Sequence, residues 1–208
     1  MLLVGRDLSP FVRRCAVTLH LYGLPFERAE YATTTDVDKI RVHNPLVRVP
    51  ALVLDDGETL IDSAAILDHL DETVGDKRLT PAGGAERRAV LRGVYHALGA
   101  AEKAILIAYE RNPGMRAPEF YCQPWVDRLT GQAGGGLGFL EKGLAGREWL
   151  AGDRMTQADV TAAVVYDFLT VMVPELASAE ELPALAGLTE RLSKLPAFQQ
   201  TNLDKFRK

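Results

Sequence analysis

Ala51-Leu52-Val53-Leu54-Asp55-Asp56-Gly57-Glu58-Thr59-Leu60-Ile61-Asp62-Ser63 is the stretch on which the fold turns. Two short apolar runs, 51–54 and 59–61, flank Asp55-Asp56-Gly57-Glu58. An Asp-Gly pair accepts the backbone conformations of a tight hairpin turn, so the runs are predicted to be antiparallel neighbours. Asp62-Ser63 then caps a helix through Leu70, with Ala64, Leu67 and Leu70 on its buried face and an end near Gly75.

Towards the N-terminus, Leu2-Leu3-Val4 is a short buried-strand candidate, and Ser9-Pro10 places a cap residue before proline at the first helical position. Val12, Ala16 and Leu19 mark one apolar stripe of the helix that follows. Val17 and Leu21 mark another roughly opposite, so the helix should be covered on more than one side, as by a second domain leaning on it. Gly23-Leu24-Pro25 stops it, residues 26–31 read as a strand, and residues 35–43 as a short irregular helix. The order strand-helix-strand-helix-strand-strand-helix over residues 1–75 is that of a thioredoxin-like α/β domain.

Residues 76–85, with Pro81 and Gly83-Gly84, read as a linker, and strand signals nearly vanish beyond it. An all-helical C-terminal domain is expected over 86–208, giving an α/β plus all-α chain. Ala89, Val94, Leu98, Ala101, Ile105 and Ala108 keep helical spacing until Asn112-Pro113-Gly114. A second long helix is predicted from about 118 to 144 although Gly131, Gly134, Gly135, Gly136 and Gly138 sit inside it, each costing about 1 kcal/mol relative to alanine. A kink or an unusually close helix contact is expected there. Thr156-Gln157-Ala158-Asp159 is a capping-box variant opening a helix poor in charge, residues 160–173, that should form the buried centre of this domain.

The 208 residues carry 24 basic and 28 acidic side chains, a net charge of -4, with no long Lys or Arg run to meet a phosphate backbone. Nucleic acid is therefore not an expected partner. A charge appears within the first six residues, unlike a secretion signal, and the longest apolar stretch, 160–173, is interrupted by Asp167 and too short to span a bilayer. Cys15 and Cys122 are far apart, without CxxC spacing, which fits a reducing compartment, and the cytoplasm is the expected location. His20, His43, His69 and His96 show no ligand spacing, so no metal is predicted.

Four pieces lie in one order: Ser9-Pro10-Phe11-Val12-Arg13-Arg14, Asn44-Pro45-Leu46-Val47-Arg48-Val49-Pro50, Asp62-Ser63-Ala64-Ala65-Ile66, and Trp149-Leu150-Ala151-Gly152-Asp153 leading into the capping box. This ordered set resembles bacterial glutathione transferases of the cytosolic type, and the similarity spans nearly the whole chain. By that resemblance Ser9 donates a hydrogen bond to the sulfur of glutathione, the co-substrate, and Phe11 belongs to the same site. Read from the dipeptide alone, Ser9 is a plain helix cap. Val49-Pro50 matches the family's cis-proline, where Val49 pairs its backbone with the cysteinyl part of glutathione. Arg48, where many relatives have lysine, is placed to neutralise the glycine carboxylate; the residue by itself reads equally as an exposed arginine. Asp62 would take the γ-glutamyl ammonium and Ser63, with the helix N-terminus, its carboxylate. Most relatives carry Glu or Gln at Asp62, and the residue alone reads as a cap.

Tyr95 and Tyr109 are candidates for the second-substrate pocket, with ordinary packing as the alternative. Cys15 faces away from Ser9 and reads as core. The resemblance implies conjugation of glutathione to a small electrophile by a homodimer. A glutathione-dependent isomerase or dehalogenase is a second reading, although the isomerase branch usually shows Ser-Ser-Cys where this chain has Leu8-Ser9-Pro10. A non-catalytic binding or regulatory protein of the same fold is a third, against which the joint presence of Ser9, Val49-Pro50 and Asp62-Ser63 argues.

Overall fold

The computed structural model describes residues 1–207. β1 (Leu2–Val4), β2 (Glu27–Ala29), β3 (Ala51–Val53) and β4 (Thr59–Ile61) form one four-stranded sheet in the order β2-β1-β3-β4. β1 is parallel to β2 and antiparallel to β3, and β3 pairs antiparallel with β4 through Leu52↔Leu60. The parallel pair requires a crossover, supplied by α1 (Pro10–Tyr22). The β3–β4 pair needs only the predicted turn, at which Gly57 takes a φ of 91°.

Side chains alternate across a strand, so Leu3 and Leu52 face one side of the sheet and Val4 and Ala51 the other. Leu3 and Leu52 join Val12, Cys15, Ala16 and Leu19 of α1 and Ile66, Leu67 and Leu70 of α3 (Ser63–Val74) in one core. Val4 and Ala51 pack with Ala29 and with Ile40 of α2 (Val37–Arg41). This is the thioredoxin-like arrangement. The inward stripe of α3 corrects the expectation in one place: Ala64 is exposed and Ile66 is buried, since Ile66 and Leu70 stand four residues apart on the face that carries Leu67.

By packing, the chain divides into two compact units, Met1–Thr80 together with the segment from Ser193 onward, and Pro81–Leu192. Residues 193–207 thus part from the division expected at 86. The physical reason is burial: α8 (Pro196–Gln199) packs on α1, with the Arg13 guanidinium 5.9 Å from the centre of the Phe198 ring. Lys205 also bonds both carboxylate oxygens of Glu30, at 2.9 and 2.7 Å.

In the second unit α4 (Gly84–Glu110) packs on both α5 (Gln123–Leu144) and α6 (Gln157–Met172), and α7 (Pro183–Ser193) follows. α5 starts at Gln123 and not at 118, because a helix entered earlier would hold Pro124 in its interior, where the missing N–H and the ring both oppose it. α6 is buried almost all round and opens with the full capping box.

The five glycines between 131 and 138 of α5 separate into two kinds. A Cβ at Gly136 would lie 2.8 Å from the backbone oxygen of His96 on α4, so the helices touch there through bare backbone. Gly131, Gly134, Gly135 and Gly138 face open space. Gly136→Ala should therefore lose about 1–2 kcal/mol of stability by overpacking, while Gly135→Ala should gain up to about 1 kcal/mol through helix propensity. Urea unfolding of the two variants checks the opposite signs.

Candidate functional site

The site is built where α3 begins. Asp62 caps the helix with its Oδ1 accepting from the Ala64 N–H at 2.9 Å, and it does so at a φ of 70°. Such a conformation is strained for any residue with a Cβ, and aspartate tolerates it better than most. Ser63, the first helical residue, is 1% exposed and its Oγ has no hydrogen-bond partner. A buried hydroxyl without a partner is costly, so its place beside the free N–H groups of a twelve-residue helix marks a position prepared for an acceptor.

Opposite chain segments complete the wall. Asn44 is buried, donating through Nδ2 to the Arg48 carbonyl at 2.9 Å and accepting from the Leu46 N–H at 3.0 Å. These bonds hold the loop 44–48, in which Val47 takes a φ of 54°. The Val49–Pro50 peptide is cis, and Val49 forms no hydrogen bond to other backbone groups. A residue with free N–H and C=O is what a peptide needs in order to pair its own backbone there.

Phe11, Arg48, Val49, Asp62 and Ser63, all expected from the sequence, line one open depression. Asn44, Leu46, Pro50 and Ile61 complete it. Asn44 was legible in principle, because asparagine before proline favours a turn held by its own side chain. Leu46 and Ile61 carry no such signal and reach the site only through the hairpin and loop that present them.

Ser9 is not on this lining. It stands at the N-terminus of α1, two residues before Phe11, with its Oγ accepting from the Val12 N–H at 3.4 Å. A hydroxyl has one proton and two lone pairs, so this long cap bond leaves the proton available to a ligand. Tyr95 and Tyr109 lie on α4 in the other unit, 58% and 40% exposed, outside the lining of the depression.

Cys15 lies beneath the site, its Sγ 3.9 Å from the Ser63 carbonyl oxygen. Burial pushes its pKa up to about 12, Arg14 opposing and Asp62 adding to the effect. A thiol held neutral in this way is core and not a nucleophile. Among the described residues no three His, Cys, Asp or Glu side chains gather where they could hold a metal, and no helix is long and apolar enough to cross a membrane. The site thus offers one cation, one anion, one buried hydroxyl at a helix N-terminus and one residue with an unpaired backbone. That set suits a small, extended, zwitterionic peptide.

Known proteins resemble this chain in both of its units. Residues 8–73 match the family model of the glutathione S-transferase N-terminal domain, and residues 123–191 that of the C-terminal domain. A glutathione S-transferase from Methylobacterium radiotolerans, solved in complex with glutathione sulfonate, is 30% identical, covers 96% of this chain with 93% of its own, and superposes with a TM-score of 0.90. A glutathione transferase family member from Pseudomonas fluorescens with bound glutathione is 28% identical over 97% of this chain and 98% of its own, with a TM-score of 0.84. Maleylacetoacetate isomerase of Pseudomonas aeruginosa is 29% identical, covering 91% of this chain and 89% of that protein.

Proposed function

Because the chain belongs to the glutathione S-transferase family, we propose that the depression holds glutathione and that Ser9 turns its thiol into a nucleophile for small electrophiles. The observation that carries the reading is the buried, unpartnered Ser63 hydroxyl at the start of α3. It supports binding of the γ-glutamyl carboxylate by Ser63 and the helix N-terminus. Asp62 takes the ammonium through the oxygen its cap does not use, Val49 pairs with the cysteinyl backbone, and Arg48 faces the glycine carboxylate.

A free thiol with pKa near 8.5 is mostly protonated at neutral pH, and a hydroxyl donor at a helix N-terminus favours the thiolate. The thiol proton leaves to solvent. The sulfur lone pair then forms the C–S bond, and the displaced pair leaves with the leaving group of an aryl halide or, at an epoxide or enone, moves to oxygen and takes a proton from solvent. The enzyme's own part is binding, ionisation and orientation, with no covalent enzyme intermediate. We place the protein in the cytoplasm as a homodimer, as the family implies.

Isomerisation is the second reading, favoured by the similarity to maleylacetoacetate isomerase. There the thiolate would add to an activated cis-alkene and be expelled after rotation, so that glutathione is returned. Titration calorimetry with glutathione, followed by turnover against aryl halides, epoxides, enones and an activated cis-alkene, separates the readings. Conjugation consumes glutathione stoichiometrically and isomerisation does not. No heat of binding at millimolar glutathione would overturn both in favour of a non-catalytic role.

Asp62 offers a sharper test of the binding mode. Asp62→Asn keeps the cap and a side chain that tolerates positive φ, yet removes the charge. Glutathione affinity should fall by about 1.5–3 kcal/mol, the usual worth of a charge-assisted hydrogen bond, with stability nearly unchanged. Asp62→Ala should lose the cap as well, about 1 kcal/mol of stability. Equal glutathione affinity in all three proteins would leave Asp62 as a cap alone.

A further inference from the structure

We propose that Arg28, acting through the buried carboxylate of Asp7, is a positioning residue that sets the Ser9 hydroxyl for the thiol. The inference rests on the reading of Ser9 given above. Ser9 ends the short loop that leaves β1, and everything that fixes this loop fixes the hydroxyl. Arg28 sits at the centre of β2, paired in register with Leu3 of β1. Its guanidinium spans the loop. Nη2 donates to Asp7 Oδ1 at 2.8 Å and to the Gly5 carbonyl at 3.2 Å, and Nη1 donates to Asp7 Oδ2 at 3.3 Å.

The loop is tied at its other points as well. The Gly5 N–H donates to the Ala29 carbonyl at 2.8 Å, and the Ser9 N–H donates to the Arg6 carbonyl at 3.0 Å. A Cβ on Gly5 would lie 2.5 Å from Val12 Cγ2 and 2.9 Å from Val49 Cβ. The same few atoms therefore set the first turn of α1, the loop and the Val49 wall of the depression against one another. Movement of the Asp7 end is transmitted over two residues to Ser9.

Charge points the same way. Asp7 is 4% exposed, and a buried carboxylate at the approach to α1 would oppose an anionic sulfur were it not neutralised. The planar fork of arginine meets both carboxylate oxygens and the carbonyl together, which the ammonium of lysine cannot do. The other charged groups around the pair are Arg6 on the loop, His20 on α1, and Glu30 with Lys205. His20 senses both partners, its pKa lowered by burial and by Arg28, with Asp7 opposing. Glu30 is held ionised chiefly by Lys205, with Arg28 and Arg6 contributing.

The test is a double-mutant cycle of Arg28→Lys and Ser9→Ala, read as the pH dependence of turnover beside calorimetric glutathione affinity. Arg28→Lys keeps the charge and removes the fork. Turnover at neutral pH should fall about tenfold and the thiol midpoint should rise by up to about one unit, with glutathione affinity within about twofold. In the Ser9→Ala background the same substitution should change neither quantity by more than about twofold. An equal effect in both backgrounds, or a stable Arg28→Lys protein with an unmoved midpoint, would overturn the proposal. If Ser9→Ala alone leaves the midpoint in place, the parent reading of Ser9 fails first, and that result is distinct from additivity. Should Arg28→Lys not fold, Asp7→Asn replaces it in the cycle with the same expected and overturning results.

Discussion

Ser9→Ala is expected to lower turnover at neutral pH by about ten- to a hundredfold while leaving glutathione affinity nearly unchanged. The hydroxyl is proposed to stabilise sulfur only once it is ionised, so its loss acts on the thiol proton and not on the peptide contacts. One or two units of pKa, about 1.4 kcal/mol each, put the midpoint of the pH profile near or above that of free glutathione. The fold should hardly notice, because the cap bond to Val12 is long, at 3.4 Å, and Pro10 still starts the helix. The measurement is turnover from pH 5.5 to 9, with thiolate absorbance at equilibrium. Full activity with an unmoved profile would assign the ionisation of sulfur to another donor.

The second large effect is on stability. Asp159 is fully buried and accepts three hydrogen bonds, from the Leu150 N–H at 2.8 Å, the Thr156 N–H at 2.8 Å and the Thr156 hydroxyl at 2.9 Å. Asp159→Ala strands two backbone donors in the interior. At about 1–3 kcal/mol for each orphaned group the loss is about 4 kcal/mol, or a fall of about 10 °C in Tm. Burial raises the Asp159 pKa above its ordinary 3.8, against the lowering effect of its hydrogen bonds. The folded chain therefore binds this proton more tightly than the unfolded one. The stability so contributed is complete below the unfolded value and declines as pH rises through the raised one. The margin of the native protein over Asp159→Ala should accordingly be widest in acid and narrow towards neutrality. Chemical unfolding at a series of pH values reads this slope, and a margin growing with pH would contradict it.

Local chemistry made much of the fold legible. Asp56-Gly57 announced the hairpin, Ser9-Pro10 the start of α1, and Thr156 with Asp159 the start of α6, because turns and caps are decided by residues that touch one another along the chain. Ala64 reads from the sequence as inward on α3 and lies outward in the structure, since a small apolar residue fits either side of a helix. The glycines of α5 could be marked as unusual, but only the position of α4 shows that Gly136 alone meets backbone. Of the site, Phe11, Arg48, Val49, Asp62 and Ser63 are brought into one depression and Ser9 stands outside its lining, while Leu46 and Ile61 depend on which loop ends lie side by side. The positive φ of Val47 has no signal in the sequence, because a β-branched residue disfavours that conformation. Arg28 and Asp7, far apart in sequence and ordinary in type, offered nothing to read until the β1–β2 register joined them.

The return of the chain from Ser193 onward to the first unit has a consequence for how the molecule is made. On the ribosome the sheet and its helices emerge first, but α8, which covers α1, is translated only after the whole of Pro81–Leu192. At roughly 5–20 residues per second that wait is on the order of ten seconds. During it the nascent α1 lacks the cover that Phe198 and its neighbours supply. Vectorial synthesis therefore completes the second unit before the first, and α1 gains its cover only once α8 has left the exit tunnel.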